Sequence, residues 1–201
     1  MRTRDEVLER VRRNQPAAQP MPQMPAFTSR VDAGADGDGL LPAFRAALER
    51  MGGRWAEVTD GGAVDALLAG LFPQARVICS ATPEVRGTRP LDPRQAPQAL
   101  DDVDVGVVRA LFGVAETGSV LLTEQQLLVP ALGFLAQHLV VLLDPQRILV
   151  DMHAAYRERV VAAAHYAIFM TGPSATADIE GVLIHGAQGV RSLTVVPLAA
   201  P

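Results

Sequence analysis

Apolar residues recur along the chain at two spacings, which alternate from residue 40 onwards. Helical spacing runs from Leu40 to Met51, whereas His138 to Leu143 form a continuous apolar run of strand length. Such a run is typical of a strand that is covered on both faces. By these criteria the sequence predicts helices over 3–13, 40–51, 64–71, 151–164 and 177–184, and strands over 55–58, 75–79, 103–108, 114–122, 138–143, 166–170 and 192–197. Strands that are separated by helices predict an open α/β sheet, mostly parallel, with helices on both faces.

The first 39 residues differ from the rest of the chain in composition. Thr3 and Glu6 have the spacing of a capping box, which predicts the start of a short helix. Residues 14–39 hold four prolines followed by alternating glycine and aspartate. We therefore expect residues 1–39 to be an N-terminal helix and a flexible linker, and residues 40–201 to form the folded domain. The helix is either a frayed terminus or a docking element for a partner protein, and the sequence leaves both interpretations open.

The composition excludes several kinds of chemistry. The 201 residues have a net charge of −4 and contain a single cysteine, Cys79, and no lysine. One cysteine cannot form an intrachain disulfide or hold an iron–sulfur cluster, and it favours a reducing compartment. The absence of lysine excludes a Schiff-base lysine and a P-loop lysine. The acidic balance is untypical of a nucleic-acid-binding protein.

The pattern of apolar residues also bears on where the protein is found. The charged N-terminus has no apolar segment behind it, so the sequence predicts no signal peptide. The longest apolar stretches, near 139–143, are far shorter than the roughly 20 residues of a membrane helix. We expect a cytoplasmic protein that does not enter a membrane.

One candidate site lies in residues 113–122, where Glu116 and Gly118 interrupt two apolar strand-like runs. Gly118 allows an unusual backbone conformation or the close approach of a ligand. A partly desolvated Glu116 could act as a base or a nucleophile, with Thr117, Gly118 and Ser119 as candidate ligand-binding residues. The alternative is a β-bulge or hairpin in which Glu116 pairs with an arginine such as Arg109.

A second candidate site lies in residues 169–180, where an apolar strand ends in Thr171 and Gly172. Pro173 stands where a helix can begin, and free N–H groups at a helix start favour an anion. This pattern predicts ligand-binding residues, which are Gly172, Pro173, Ser174, Thr176 and Asp178. The alternative is a well-capped helix in which Ser174 and Thr176 satisfy the exposed N–H groups.

A third segment, 185–191, contains turn glycines and ends in Arg191, just before the last strand. Arg191 either faces the ligand crevice or lies in solvent. Because the chain has no lysine, Arg109 and Arg191 are the leading candidates to hold an anionic ligand. The four histidines lack the spacing of a helical metal site, and no dinucleotide-binding glycine motif occurs, so we expect no metal.

These motifs resemble those of a known family. The run FGVAETGSVLL (112–122), together with 134–149, 152–159 and 171–198, is similar to the LUD-domain proteins, which include the C component of the bacterial lactate-utilisation system. The resemblance covers residues 100–198. It implies a three-layer α/β/α fold like that of ribose-phosphate isomerases, glucosamine-phosphate deaminases and CoA-transferases.

The same resemblance implies a function. It predicts a non-redox component that works with iron–sulfur partner proteins in oxidising L-lactate to pyruvate, with no cofactor in this chain and the clusters in the partners. The segment 115–118 is also similar to the loop of CoA-transferases whose glutamate forms the acyl-CoA thioester. The alternative functions are therefore an isomerase-like or CoA-transferase-like enzyme that uses Glu116 on a small anionic substrate, and a scaffold or regulatory module.

Overall fold

The computed structural model describes residues 3–23, 27–34, 37–58, 64–177, 183–185 and 188–199. The helices are α1 (Arg4–Arg13), α2 (Leu40–Arg50), α3 (Val64–Leu71), α4 (Glu124–Leu127), α5 (Leu132–Leu135), α6 (Met152–Arg157) and α7 (Arg159–Ala163). The strands are β1 (Arg54–Trp55), β2 (Ile78–Ser80), β3 (Val105–Arg109), β4 (Phe112–Val114), β5 (Ser119–Thr123), β6 (His138–Leu143), β7 (Ile148–Leu149), β8 (Ala167–Met170), β9 (Ala175–Ala177), β10 (Leu183–His185) and β11 (Ser192–Pro197).

The central sheet has the strand order β1-β11-β6-β3-β2, and every neighbouring pair is parallel. Its middle strands are apolar on both faces. In β3, Val105 and Val107 belong to one buried cluster and Val108 to another. In β6, Leu139 and Val140 divide between the same two clusters. A sheet that is buried on both faces explains why these strands read as continuous apolar runs.

Helices cover both faces of this sheet. Val64 and Leu68 of α3 are buried against one face. Phe44 and Leu48 of α2 lie against the other, together with apolar residues of α4 and α5. The predicted three-layer α/β/α fold with a mostly parallel sheet is thus confirmed.

A second sheet, with the order β7-β4-β5-β8, lies beside α2. Its β4–β5 pair is an antiparallel hairpin, which makes residues 112–123 part of a separate sheet and not of the central one. Val120 and Leu122 face the main core, whereas Phe112 and Leu121 pack against Ala155 of α6. The alternation of inward and outward residues along β5 is what allows one strand to serve both clusters.

Several predicted elements differ from the structure. The strand predicted over 114–122 is divided by the turn 115–118 into β4 and β5, and the strands predicted over 55–58 and 75–79 overlap only the short strands β1 and β2. Of the helix predicted over 177–184, residues 178–182 lie outside the described residues, and its described ends are wrong, because Ala177 in β9 and Leu183 and Ile184 in β10 belong to paired antiparallel strands. The helix predicted over 151–164 is interrupted at Glu158, whose backbone is extended (φ −66°, ψ 125°). The strand predicted as buried over 166–170 is half-exposed, because β8 is the edge strand of the second sheet.

The N-terminal segment is helical where the sequence predicts it. The Thr3 N–H donates to Glu6 Oε2 at 2.9 Å and the Glu6 N–H donates to Thr3 Oγ1 at 3.4 Å, so the predicted capping box is present. No residue of α1 is buried. In the linker, the Phe27 ring stacks on the His153 ring with a centroid distance of 3.8 Å, and Val31 packs on the main core. Part of the linker therefore contacts the domain.

Candidate functional site

The fold brings the first two sequence motifs to one end of the second sheet. β5 and β8 are antiparallel, with Val120 opposite Met170. Gly118 directly precedes β5 and Gly172 follows β8 by two residues, so the two motifs lie side by side. Their association depends on strand pairing across about 50 residues of chain, which no local pattern reveals.

The two motif glycines pack against helix α2. Gly118 has φ +65°, and a Cβ there would collide with the backbone of Leu48. Gly172 has φ +61°, and a Cβ there would collide with the carbonyl oxygen of Met51. Close packing between protein segments thus explains why both positions need glycine, and no ligand is needed to account for them.

Glu116 is half-buried in the turn between β4 and β5. Its Oε2 accepts a hydrogen bond from the Met152 N–H at 3.0 Å, at the start of α6. Asp151 caps the same helix, with Oδ1 accepting from the Ala154 N–H at 2.7 Å. A carboxylate at a helix start is stabilised by the free N–H groups there. Arg109 pairs with Glu84 and not with Glu116, so the arginine suggested for this turn lies elsewhere.

The neighbours of Glu116 also make contacts within the protein. Thr117 is half-buried, with Oγ1 4.0 Å from the Met152 sulfur. Ser119 is buried at the start of β5 and pairs with Val114 in the hairpin. This turn thus joins the second sheet to α6.

The second motif lines a cavity of about 300 Å³. One wall is the segment Thr171–Ser174, and the other walls come from α5, β8 and the residues before β11. The Ser174 N–H donates to the Val190 carbonyl at 2.9 Å, so Ser174 joins two loops and does not start a helix. Thr176 is exposed in β9, and Asp178 lies outside the described residues. The Thr171 hydroxyl is buried and has no hydrogen-bond partner in the described part of the chain.

Arg109 and Arg191 lie at opposite ends of the strands of the central sheet. We call the side where the strands end the carboxyl edge and the side where they begin the amino edge. Arg109 is the last residue of β3, whereas Arg191 precedes β11 and is exposed. Because β3 and β11 both run parallel to β6, one arginine is at the carboxyl edge and the other at the amino edge. The two guanidinium groups therefore cannot hold one small anion together, so the two candidates belong to different places in the fold.

The amino edge carries a histidine that the sequence did not single out. His138 Nδ1 lies 2.8 Å from Ser192 Oγ, and its ring stacks on Phe72 with a centroid distance of 4.7 Å. Burial lowers the pKa of His138, and the positive charges of Arg191 and Arg54 lower it further against the smaller opposite effect of Asp104. His138 is accordingly held in its neutral form at neutral pH.

The carboxyl edge holds a half-buried ion pair. Arg109 Nε donates to Glu84 Oε1 at 2.6 Å, and Nη1 donates to the Leu198 carbonyl at 2.9 Å. The Thr82 hydroxyl donates to the other oxygen of Glu84. Burial raises the pKa of Glu84, but hydrogen bonds from Thr82, its own backbone and Arg109, with the charge of Arg109, outweigh this effect and lower the pKa. Glu84 therefore remains ionised.

A cavity of about 230 Å³ opens beside this ion pair. It is lined by the loop after β2, the end of β3 and the start of α4. Ligands of open α/β sheets bind at the carboxyl ends of the strands, so this position is the expected one for a ligand. The signal in the sequence was an arginine at the end of a buried strand, but its partner Glu84 is 25 residues away in a loop.

The described residues offer no group of histidine, cysteine or acidic side chains that could hold a metal ion. Cys79, in β2, has no exposed surface. In the same part of the chain, no helix has both the length and the apolar character needed to cross a membrane.

The fold defines an α/β protein with a parallel central sheet and a small cavity at its carboxyl edge. A family model described as the LUD domain matches residues 87–197, which is more than half of the chain. The chain belongs to the LUD-domain family. It is also similar in structure to a DUF162 family protein from Deinococcus radiodurans, with a TM-score of 0.61 and 17% identity over 80% of this chain and 96% of that one. No curated protein matches the chain.

Proposed function

We propose that this LUD-domain protein is a non-redox component of bacterial L-lactate utilisation and works with iron–sulfur partner proteins. The match of the LUD-domain model to residues 87–197 carries the proposal, because this family is associated with lactate utilisation. The chain has one cysteine, and its thiol is fully buried in β2. An iron–sulfur cluster needs several accessible thiolate ligands, so the clusters belong to the partners.

The role left to this chain is to bind the organic acid, to assemble the partners, or both. A binding function is supported by the two cavities, at the carboxyl edge of the central sheet and beside the second motif. An assembly function would use the surface of the domain and leave its core unchanged.

A gene-deletion strain tests the proposal. In a bacterium that carries this gene, we expect deletion to abolish growth on L-lactate as the sole carbon source, while growth on pyruvate stays normal because pyruvate enters after the oxidation step. Affinity purification of the restored tagged protein should recover proteins with iron–sulfur absorbance. Normal growth of the deletion strain on L-lactate would overturn the proposal.

Glu116 distinguishes this function from an isomerase-like or CoA-transferase-like enzyme. The carboxylate already accepts the Met152 N–H, and the glycines of both motifs are occupied by packing against α2. In Glu116→Gln the side-chain oxygen can still accept that hydrogen bond, so the fold should be retained. We expect the Glu116→Gln strain to grow on L-lactate at the wild-type rate. Loss of growth with a folded variant would favour covalent or acid–base catalysis by Glu116.

A further inference from the structure

We propose that the cavity at the carboxyl edge of the central sheet binds a small hydroxy- or keto-carboxylate, at a site separate from the Glu116 turn. The inference rests on the proposed function for the kind of acid and on the structure for its position. The cavity residues are Ala81, Thr82, Pro83, Arg109, Ala110, Leu111, Gln125 and Gln126.

The position is set by two adjacent parallel strands. Thr82 lies in the loop after β2, and Arg109 ends β3, the strand that pairs with β2. Both therefore reach the same edge of the sheet, and α4 supplies a third wall. All of these residues come from the continuous described range 64–177.

The guanidinium of Arg109 is held in place before any ligand arrives. Its Nε and Nη2 contact Glu84 Oε1 at 2.6 and 2.5 Å, and its Nη1 contacts the Leu198 carbonyl at 2.9 Å. Arginine has five N–H donors, which is more than these contacts use, although the Nε–Nη2 face is taken by Glu84. The side chain is 19% exposed, so the bound group would be partly removed from water.

The negative charge of Glu84 does not prevent an anion from binding in the cavity. One of its oxygens is turned to Arg109 and the other accepts the Thr82 hydroxyl. Its charge is thus offset inside the protein, and its main effect is to fix the direction of the guanidinium.

Two amide side chains complete the polar lining. Gln126 Oε1 accepts from the Thr123 hydroxyl at 2.6 Å and from the Thr123 N–H at 3.3 Å. This contact leaves the Gln126 NH₂ group as a donor for the cavity. Gln125 is exposed at the cavity mouth. Such amides can bind the carboxylate or the 2-oxygen of the acid, while Ala110 and Leu111 offer an apolar surface for its methyl group.

The size of the cavity selects a small ligand. Its volume of about 230 Å³ is below the roughly 300–1,000 Å³ of sites for drug-sized molecules. A hydroxy or keto acid of the size of lactate fits such a volume, whereas a CoA thioester does not. The size of the cavity therefore favours the free acid over its CoA thioester.

The test is a binding titration of the full chain with sodium L-lactate and sodium pyruvate, followed by calorimetry or NMR. The variant Gln125→Glu places a negative charge at the cavity mouth. It should fold normally, because position 125 is exposed and an acidic residue suits the first turn of α4. We expect affinity for both acids to fall about tenfold or more through like-charge repulsion.

Gln98→Glu is the matched control, since Gln98 is also exposed but lies in the short 3₁₀ turn Pro97–Leu100 outside the cavity. It should bind the acids as the wild type does. Equal affinities for wild type and Gln125→Glu would overturn the site, and so would the absence of binding of either acid to the wild type.

The two proposals fail in different ways. If only the site is wrong, the deletion strain fails to grow on L-lactate, but Gln125→Glu binds the acids as wild type does. If only the lactate function is wrong, the deletion strain grows normally, while purified wild type still binds a small acid and Gln125→Glu weakens that binding.

Discussion

His138 links pH to the stability of the central sheet. Burial, Arg191 and Arg54 make the pKa of His138 lower in the folded protein than its ordinary value of 6.5. As the pH falls through that value, the unfolded chain takes up the proton first. The free energy of unfolding then decreases until the pH passes the lower pKa of the folded state.

This shift gives a direct prediction for the variant His138→Gln. Urea unfolding at about pH 7.5 and about pH 5 should show a smaller loss of stability in the variant than in the wild type, because glutamine does not titrate in this range. His165→Gln, at an exposed position, is the control and should lose as much stability as the wild type. An equal loss in His138→Gln and the wild type would contradict the assignment.

Single residues could be identified from the sequence where their partners are local. The two residues of the capping box, Thr3 and Glu6, are three positions apart, and the capping box is confirmed. Glu116 was recognised as unusual, but its partner Met152 is 36 residues away, so its contact with α6 could not be derived. The Arg109–Glu84 pair was missed for the same reason.

At the scale of elements, the C-terminal end of α2 packs on two glycines that flank different strands of the second sheet, Gly118 before β5 and Gly172 after β8. Gly118→Ala and Gly172→Ala each place a methyl group against the α2 backbone at a positive φ. We expect each to lower the free energy of unfolding by about 2–4 kcal/mol, from strain and overpacking together. Chemical denaturation measures this change.

Gly70→Ala is the matched control. Gly70 is exposed within α3, and a Cβ there meets no atom within 4 Å. This variant should be more stable than the wild type by about 0.5–1 kcal/mol, because alanine favours the helix. A Gly118→Ala protein as stable as Gly70→Ala would show that α2 is not fixed by this contact.

Elements with strong apolar patterns were predicted with nearly their final bounds. Helix α3 and strands β6 and β11 occupy the predicted residues 64–71, 138–143 and 192–197. The failure at 177–184 has a physical cause, since β9 and β10 gain their hydrogen bonds from each other and the local pattern suits a helix equally well. The division of the strands into two sheets likewise depends on long-range pairing.

At the scale of the molecule, the N-terminal segment divides into two parts. Residues 3–23 include α1 and make no buried contact, whereas Phe27 and Val31 touch the domain. Removal of residues 1–23 should leave Tm unchanged. Removal of residues 1–34 should lower Tm by about 2–4 °C, because about 1 kcal/mol of apolar burial is lost. Equal Tm values for the two truncations would contradict a role of residues 27–34 in the fold.

The parallel order of the central sheet also decides which charged residues can act together. The sequence indicates that Arg109 and Arg191 each adjoin a strand, but only the strand direction shows that they lie at opposite edges. The candidate ligand site therefore shifts from the conspicuous glycine motifs to the less conspicuous end of β3.

The buried thiol in β2 makes local opening of the central sheet measurable. Cys79 is the chain's one cysteine, has no exposed surface, and belongs to a strand at the border of the central sheet. A thiol reagent in solution can react with it only when β2 separates from β3 or from the segment at Arg89, which pairs with Cys79 on its other side. The rate of alkylation of the unmodified protein therefore measures how often β2 opens from these neighbours near the proposed acid site, and a bound ligand would slow that rate.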